Sequence, residues 1–264
     1  MLTCRLRMTR MTLKGVTAQA AHRCIFLCTF LLAACADERA VLHNQSNAQI
    51  EALGQMAGPG RQAHALEQLV SISKSGNMIA QRETGLTLIF QRNPSQQKEG
   101  VAWLVKAALA GDAEAAFTLG EASQAGTLGQ LQDSRTAAKY FEMAAIRGHA
   151  KAALMIARML KNGEGVDRAP QQAATWLKRA AEGGNPQAML LLSNAFASGE
   201  VFLQSDELAV RWLEAAADKH YPPAIQALAQ AIEGGQLGLT RDSQFASELW
   251  KEAAEESRNH WKTQ

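Results

Sequence analysis

AKAALMIARMLKNGEGVDRAPQQAATWLKRAAEGGN, residues 150 to 185, decides the fold. It holds two apolar-periodic segments on either side of a glycine-bearing break. In the first, Ala152, Ile156 and Leu160 recur at i, i+4, i+8, which is one face of a helix. Gly163 then offers a residue without Cβ, able to end that helix in a left-handed conformation. Pro170 suits the first turn of the second helix, where its missing N–H costs nothing. The stretch carries no evident catalytic group; it sets architecture.

The rest of the chain varies on this unit. With Trp176 as marker, aromatics in similar surroundings stand at Trp103, Tyr140, Trp212 and Trp250, at successive spacings of 37, 36, 36 and 38 residues. Such a period marks a tandem array. Four residues after each marker comes an alanine (Ala107, Ala144, Ala180, Ala216, Ala254), and nine after it the unit closes. The first-segment face repeats as Ala115, Leu119 and Ser123, as Ala188, Leu192 and Phe196, and as Ala224, Leu228 and Ile232. Small residues stand beside it at Gly120, Ala157, Ser193 and Ala229, where a neighbouring helix can come close. Breaks fall at Gly126, Gly163, Gly199 and Gly235. Asp133, Ser205 and Ser243 sit seven residues before their markers as N-caps, with Ala169 in that place in the quoted unit. Asp112, Asn185-Pro186 and Tyr221-Pro222 mark the junctions.

Each unit is therefore expected to be a helix-turn-helix hairpin. A hairpin of this size cannot bury its apolar faces alone, so neighbours must stack around a shared core. Trp103, Trp176, Trp212, Trp250, Met143, Met155 and Met189 are expected to pack between helices. These units resemble Sel1-like repeats, relatives of tetratricopeptide repeats. The pattern A-x-A-x-x-x-L-G, G-x-G-V, A-x-x-W-x-x-K-A-A-x-x-G is carried in repeat one by Ala113, Ala115, Leu119, Gly120, Ala137, Tyr140, Ala144, Ala145 and Gly148. Repeat two carries Gly163, Gly165, Val166, Ala173, Trp176, Ala180, Ala181 and Gly184. Repeats three and four lack the G-x-G-V turn, so their loops are expected to bend differently. The leading unit from Asn77 keeps only its second half well. The resemblance implies an all-α, right-handed α-solenoid of about five units over 77–259, within a domain spanning 61–264 and capped by a helix over 61–74.

Residues 1–34 read as a targeting segment. Arg5, Arg7, Arg10, Lys14 and Arg23 give a basic start with no acidic residue, followed by an apolar run from Cys24 to Ala34 that is too short to span a bilayer. Initiation at Met8 or Met11 would shorten the basic part. The run closes on Leu32-Ala33-Ala34-Cys35, which resembles the lipobox of bacterial lipoproteins and implies lipidation at Cys35; the alternative is an ordinary secretory cut near the same site. All four cysteines (Cys4, Cys24, Cys28, Cys35) lie at or before that point, so no disulfide or cysteine metal site is expected in the mature chain. Cysteine-rich Sel1-like proteins have been linked to penicillin binding, and that link does not extend to a chain without their cysteine pairs. Ala36 rather than Asp after Cys35 implies outer-membrane delivery. Residues 35–60 read as a lipidated N-terminus and flexible tether, with one helix over 46–56 stopped by Gly58-Pro59-Gly60.

The whole chain carries 27 basic and 25 acidic residues; losing the five basic residues of the leader leaves 22 against 25, a net −3. That balance is a poor match for nucleic acid. His43, His64, His149, His220 and His260 form no metal-ligand spacing, and His149 stands where other units place a junction cap. Gly163-Glu164-Gly165 is a turn between helices, not a phosphate cradle. Ser123 and Ser193 occupy packing slots. No catalytic residue, cofactor, metal or small-molecule substrate is expected. At the far end, Trp261 is expected to pack back onto the last helix.

What remains is surface. Opposite the Ala115/Leu119 face lie Glu114 and Glu121, Lys151 and Arg158, Gln187 and Asn194, and Gln226 and Gln230. Stacked, they would form a polar ladder, the concave side in solenoids of this kind, suited to binding extended peptides or protein surfaces. The expectation is a non-enzymatic scaffold, lipid-anchored in the bacterial envelope at the outer membrane and facing the periplasm, that holds envelope proteins together, as repeat lipoproteins do in exopolysaccharide secretion. Competing readings are a cell-wall-associated factor or enzyme, and a surface-exposed or secreted effector contacting host proteins.

Overall fold

The computed structural model describes residues 46–58, 63–91 and 93–262. The leader, the Cys35 site and His43 lie outside them. The chain divides into two compact units, Met1–Gln49 and Ile50–Gln264. In the first, Ser46 and Gln49 exchange backbone N–H to side-chain hydrogen bonds of 2.9 and 3.4 Å, a capping box that starts a helix.

The described residues form twelve helices and no strand: α1 (Asn47–Met56), α2 (Ala63–Lys74), α3 (Met78–Phe90), α4 (Pro94–Ala110), α5 (Ala113–Ala125), α6 (Ser134–Ile146), α7 (Ala150–Asn162), α8 (Pro170–Glu182), α9 (Pro186–Ser198), α10 (Asp206–Ala217), α11 (Pro222–Gly234) and α12 (Ser243–Lys262). The hairpins are α3/α4, α5/α6, α7/α8, α9/α10 and α11/α12. Each second helix also packs against the first helix of the following hairpin, and α2 packs against α3. The fold is an all-α solenoid. Among the described residues no helix is long and apolar enough to cross a membrane.

The caps follow the sequence grammar. Asp112, His149 and Asn185 each accept a hydrogen bond from the backbone N–H three residues on, at 2.8, 3.1 and 2.9 Å. Tyr221 occupies the same place without a side-chain bond, ahead of Pro222. Gly126, Gly163, Gly199 and Gly235 all end their helices left-handed, with φ of 67, 75, 69 and 64°. Asp133 and Ser205 cap α6 and α10, and Ala169 caps nothing but precedes Pro170. In the leading unit Asn93 and Pro94 start α4 early and give it 17 residues.

The core is a row of small and medium side chains. Ala115, Leu119, Ser123, Ala152, Ile156, Leu160, Ala188, Leu192, Ala224, Leu228 and Ile232 are buried, and Phe196 is half-buried. Ser193 donates to the Ala209 carbonyl across the hairpin at 2.7 Å, so its hydroxyl is satisfied on the packing face. Gly120 permits a close approach between the helices of its hairpin: a Cβ there would meet the ring of fully buried Phe141 at 2.7 Å.

The markers and methionines pack as expected except for the last marker: Trp103 and Met189 are buried, and Tyr140, Trp176, Trp212, Met143 and Met155 are half-buried against the core. The Arg179 guanidinium lies 4.7 Å from the Trp176 ring centroid, covering part of what the helices leave open. In the last hairpin the register is one residue earlier than the aromatic suggests. Leu249 and Ala253 are buried, whereas Trp250 is 41 % exposed and Ala254 is exposed. The cap moves with them: Asp242, not Ser243, accepts from the Gln244 and Phe245 amides at 3.0 Å. Trp250 Nε1 reaches Glu233 Oε2 at 3.4 Å. The side chains of His260 and Trp261 lie outside the described residues.

From Ile50 onward α1 belongs to the second compact unit, with Ile50 1 % exposed and Ala57 buried. The interhelix loops do differ. Gly165, at φ 71°, abuts the Ser134 backbone so closely that a Cβ would collide with it. In repeats one and four the turn is instead carried by Leu128-Gly129 and Leu237-Gly238, all at positive φ. Each loop nonetheless packs apolar side chains onto the core: Leu128, Val166, Phe202, and both Leu237 and Leu239.

Candidate protein-binding surface

Caps fix the register of each first helix, and register fixes the surface. Counting from Asp112, His149 and Asn185, the second residue after the cap is Glu114, Lys151 or Gln187. The ninth, two turns on, is Glu121, Arg158 or Asn194. From Tyr221 those places hold Pro223 and Gln230; Gln226 stands one turn along from Pro223, in the slot filled elsewhere by Phe117, Leu154 and Leu190. All eight ladder residues are exposed. In the leading unit the two slots are Ile79 and Leu86, both half-buried, so the polar ladder is confined to α5, α7, α9 and α11.

The ladder is zoned by charge. Glu114 and Glu121 give an acidic rung, Lys151 and Arg158 a basic one, and the last two rungs are neutral amides. The first two rungs are coupled. His149 Nδ1 accepts from the Ala152 amide, leaving Nε2 to donate to Glu114 Oε2 at 3.2 Å, and its ring stacks on Phe117 at 4.3 Å between centroids. Partial burial raises the Glu121 carboxyl above its ordinary range; Lys151 and His149 pull it down and Glu114 pushes it up. Arg158, Gln187, Asn194, Gln226 and Gln230 make no hydrogen bond or ion pair with the described residues. Their polar groups are therefore available to a partner without first breaking an internal contact.

Two features of this face were missed from sequence. Met155 and exposed Leu191 lie between the polar rows of their helices, giving the ladder an apolar floor. Their spacing, four after Lys151 or Gln187 and three before Arg158 or Asn194, was the available signal. The second feature is a charge cluster in the leading unit. The Arg82 guanidinium donates to Asp112 at 3.1 Å, Glu83 at 3.0 Å and Glu51 at 2.9 Å. Burial works against its charge, but the three carboxylates outweigh that and raise its pKa. Arg82 and Asp112 are the same two slots as Phe117 and His149, so the first two junctions each pair the fifth residue of one first helix with the cap of the next. Among the described residues no group of three or more His, Cys, Asp or Glu side chains is placed to hold a metal ion.

Comparison with known proteins agrees with this geometry. The Sel1 repeat family model matches residues 82–112, 113–149, 150–185, 186–221 and 222–257. The chain is similar to the crystal structure of a Sel1 repeat protein from Oxalobacter formigenes, with TM-score 0.67 and 24% identity over 80% of this chain and 88% of that one. It is also similar to c5321, a protective antigen of uropathogenic Escherichia coli with an SLR fold, with TM-score 0.64 and 24% identity over 72% of this chain but only 40% of that one. At this identity the likeness is one of fold. No curated protein gives a significant sequence match.

Proposed function

Because the chain belongs to the Sel1 repeat family, whose repeats generally mediate protein–protein interaction and typically carry no catalysis, we propose that it is a non-enzymatic scaffold lipoprotein of the bacterial envelope. In this reading acyl chains on Cys35 hold it at the outer membrane facing the periplasm, and its ladder face binds partner proteins of an envelope complex such as one for exopolysaccharide secretion. The observation that carries the binding role is the set of eight exposed ladder side chains, five of them with no hydrogen bond or ion pair to the described residues. The basic leader and the Leu-Ala-Ala-Cys sequence support the address. More than one acyl chain would make that anchoring stable.

The test is in-cell crosslinking from membranes, with partners identified by mass spectrometry, comparing the wild type with the double reversal Glu121→Lys/Arg158→Glu. A defined envelope protein captured by the wild type and lost in the reversal supports the proposal. Exposed substitutions shift stability by within about 0.5 kcal/mol, so helicity and Tm should hold. Retention on purified peptidoglycan with no protein partner would favour the cell-wall reading, and protease sensitivity in intact cells the surface-exposed one. Cys35→Ala should abolish fatty-acid labelling and release the chain from membranes; labelling that persists would remove the anchor.

A further inference from the structure

The register of the last hairpin exposes a helix berth. Relative to the core slot held by Tyr140, Trp176, Trp212 and now Leu249, the residues two before, one after and five after are Ala138, Phe141 and Ala145 on α6, and Ala174, Leu177 and Ala181 on α8. On α6 all three are buried; on α8 the two alanines are buried and Leu177 is half-buried. The first helix of the following hairpin packs against each of these two helices, and Phe141 also covers Gly120 of its own hairpin. On α12 the same slots are Ser247, Trp250 and Ala254, and all three are exposed.

We propose that this face of α12 is the interface between two copies of the chain, packed antiparallel about a two-fold axis near residues 252–253. Two observations select a second copy. The first is shape: Trp250 and Ala254 stand one turn apart on the same face, so a two-fold between them sets each Trp250 over its partner's Ala254. The chain already uses large-over-small packing internally, where Phe141 covers Gly120. The second is charge. The exposed row beside the berth reads Glu248, Lys251, Glu255, Arg258. Reversed about residue 253, one residue from the midpoint of Trp250 and Ala254, it opposes Glu248 to the other copy's Arg258 and Lys251 to its Glu255, twice each. A row that is its own complement on reversal fits a self-partner; it has no such symmetry for a head-to-tail contact. Glu252 and Glu256 face the other way, toward His220 at 3.8 and 3.6 Å, and do not enter the interface.

One helix pair buries less than the roughly 1,200–2,000 Å² of a standard stable interface, so the dimer should be of micromolar affinity. Sedimentation of the full chain in mild non-ionic detergent, from about 1 to 300 µM, should therefore show a monomer–dimer transition with a Kd of about 10–100 µM. Trp250→Glu should leave only monomer across that range with unchanged helicity. Lys251→Glu should weaken association at least about tenfold, and Lys251→Glu/Glu255→Lys, which restores a self-complementary row, should recover it. Wild type monomeric throughout, a dimer that survives Trp250→Glu, or a double variant no better than the single would each overturn the proposal. Glu121→Lys/Arg158→Glu should leave the transition in place, which separates this interface from the ladder.

Discussion

The repeats contain their own mutational series for the contact between the two helices of a hairpin. In repeat one Gly120 faces Phe141; in repeats two and three the same two slots hold Ala157 with Leu177 and Ser193 with Leu213. A Cβ on Gly120 would stand 2.7 Å from Cδ1 and Cε1 of Phe141, well inside ordinary contact. Gly120→Ala alone should therefore add about 1–3 kcal/mol of overpacking, offset by about 1 kcal/mol from the better helix propensity of alanine. The net loss is up to about 2 kcal/mol. Phe141→Leu alone opens space beside a glycine and should cost about 1 kcal/mol. Together they recreate the pair that repeat two uses, the overlap disappears, and the propensity gain remains. The double variant should then lie within about 1 kcal/mol of wild type, a coupling of about 1–3 kcal/mol. Urea unfolding of all four forms measures it, and hydrogen exchange of the α5 and α6 amides places it, since stability in a stacked array is a sum of local and nearest-neighbour contributions. Effects that add within about 0.5 kcal/mol would refute the steric argument. The leading unit is no counterexample: Gly85 faces Leu104, but a Cβ on Gly85 would also meet the Gly100 carbonyl oxygen at 2.9 Å, so there it is backbone that demands glycine.

His149→Ala should cost about 1 kcal/mol through the lost α7 cap, and His149→Asn should recover the part due to the Ala152 bond but not the stack on Phe117; thermal melts that rank the two variants equally would contradict this. Arg82→Leu should destabilise by about 3–5 kcal/mol, because it strands the buried Asp112 and half-buried Glu83 carboxylates without their cation, and a loss under about 1 kcal/mol in urea unfolding would show the cluster to be solvated. Burial raises the Glu83 carboxyl above its ordinary 4.5 by more than the Arg82 hydrogen bond and charge lower it, with Glu51 and Asp112 adding to the rise. The native state then holds that proton to higher pH than the unfolded chain, so stability falls as pH rises from 4.5 through the raised value. Glu83→Gln should flatten that fall, and an unchanged slope would assign it elsewhere.

The fold was legible because its signals were redundant. At Gly126, Gly163, Gly199 and Gly235 a glycine coincided with the end of an apolar period, and every one adopts the left-handed cap. At Asp112 and Asn185 a capping side chain coincided with the start of one. Where a position had a single signal, reading it was less secure. Ser46–Gln49 announced a helix, yet nothing in its sequence said that Ile50 would be buried or that Glu51 would reach Arg82, because those contacts join residues 31 apart. The ladder was legible for a similar reason: exposure follows from register, and register from caps. Its zoning into coupled and unpartnered rungs was not, since that depends on His149 bridging from one helix to the previous one.

The last hairpin shows which of two signals to believe when they compete. Trp250 is the conspicuous residue, and choosing it forces Ser243 into the cap and Ala254 into the core. Leu249 is inconspicuous, but seven residues before it stands Asp242, as good a cap as Ser243 and the one the helix uses, and four after it stands Ala253. Capping is a backbone requirement that every helix must meet near its first turn, whereas a large aromatic can sit on either side of a helix wherever a surface will take it. In the four earlier hairpins aromatic and cap agree or the cap is a proline start, so the conflict is confined to the one unit whose outer face no described residue covers. A tryptophan displaced by one residue from a core slot onto that face is what an interface would require, and the same displacement that misled the sequence reading is therefore the strongest reason to test α12 for a second copy.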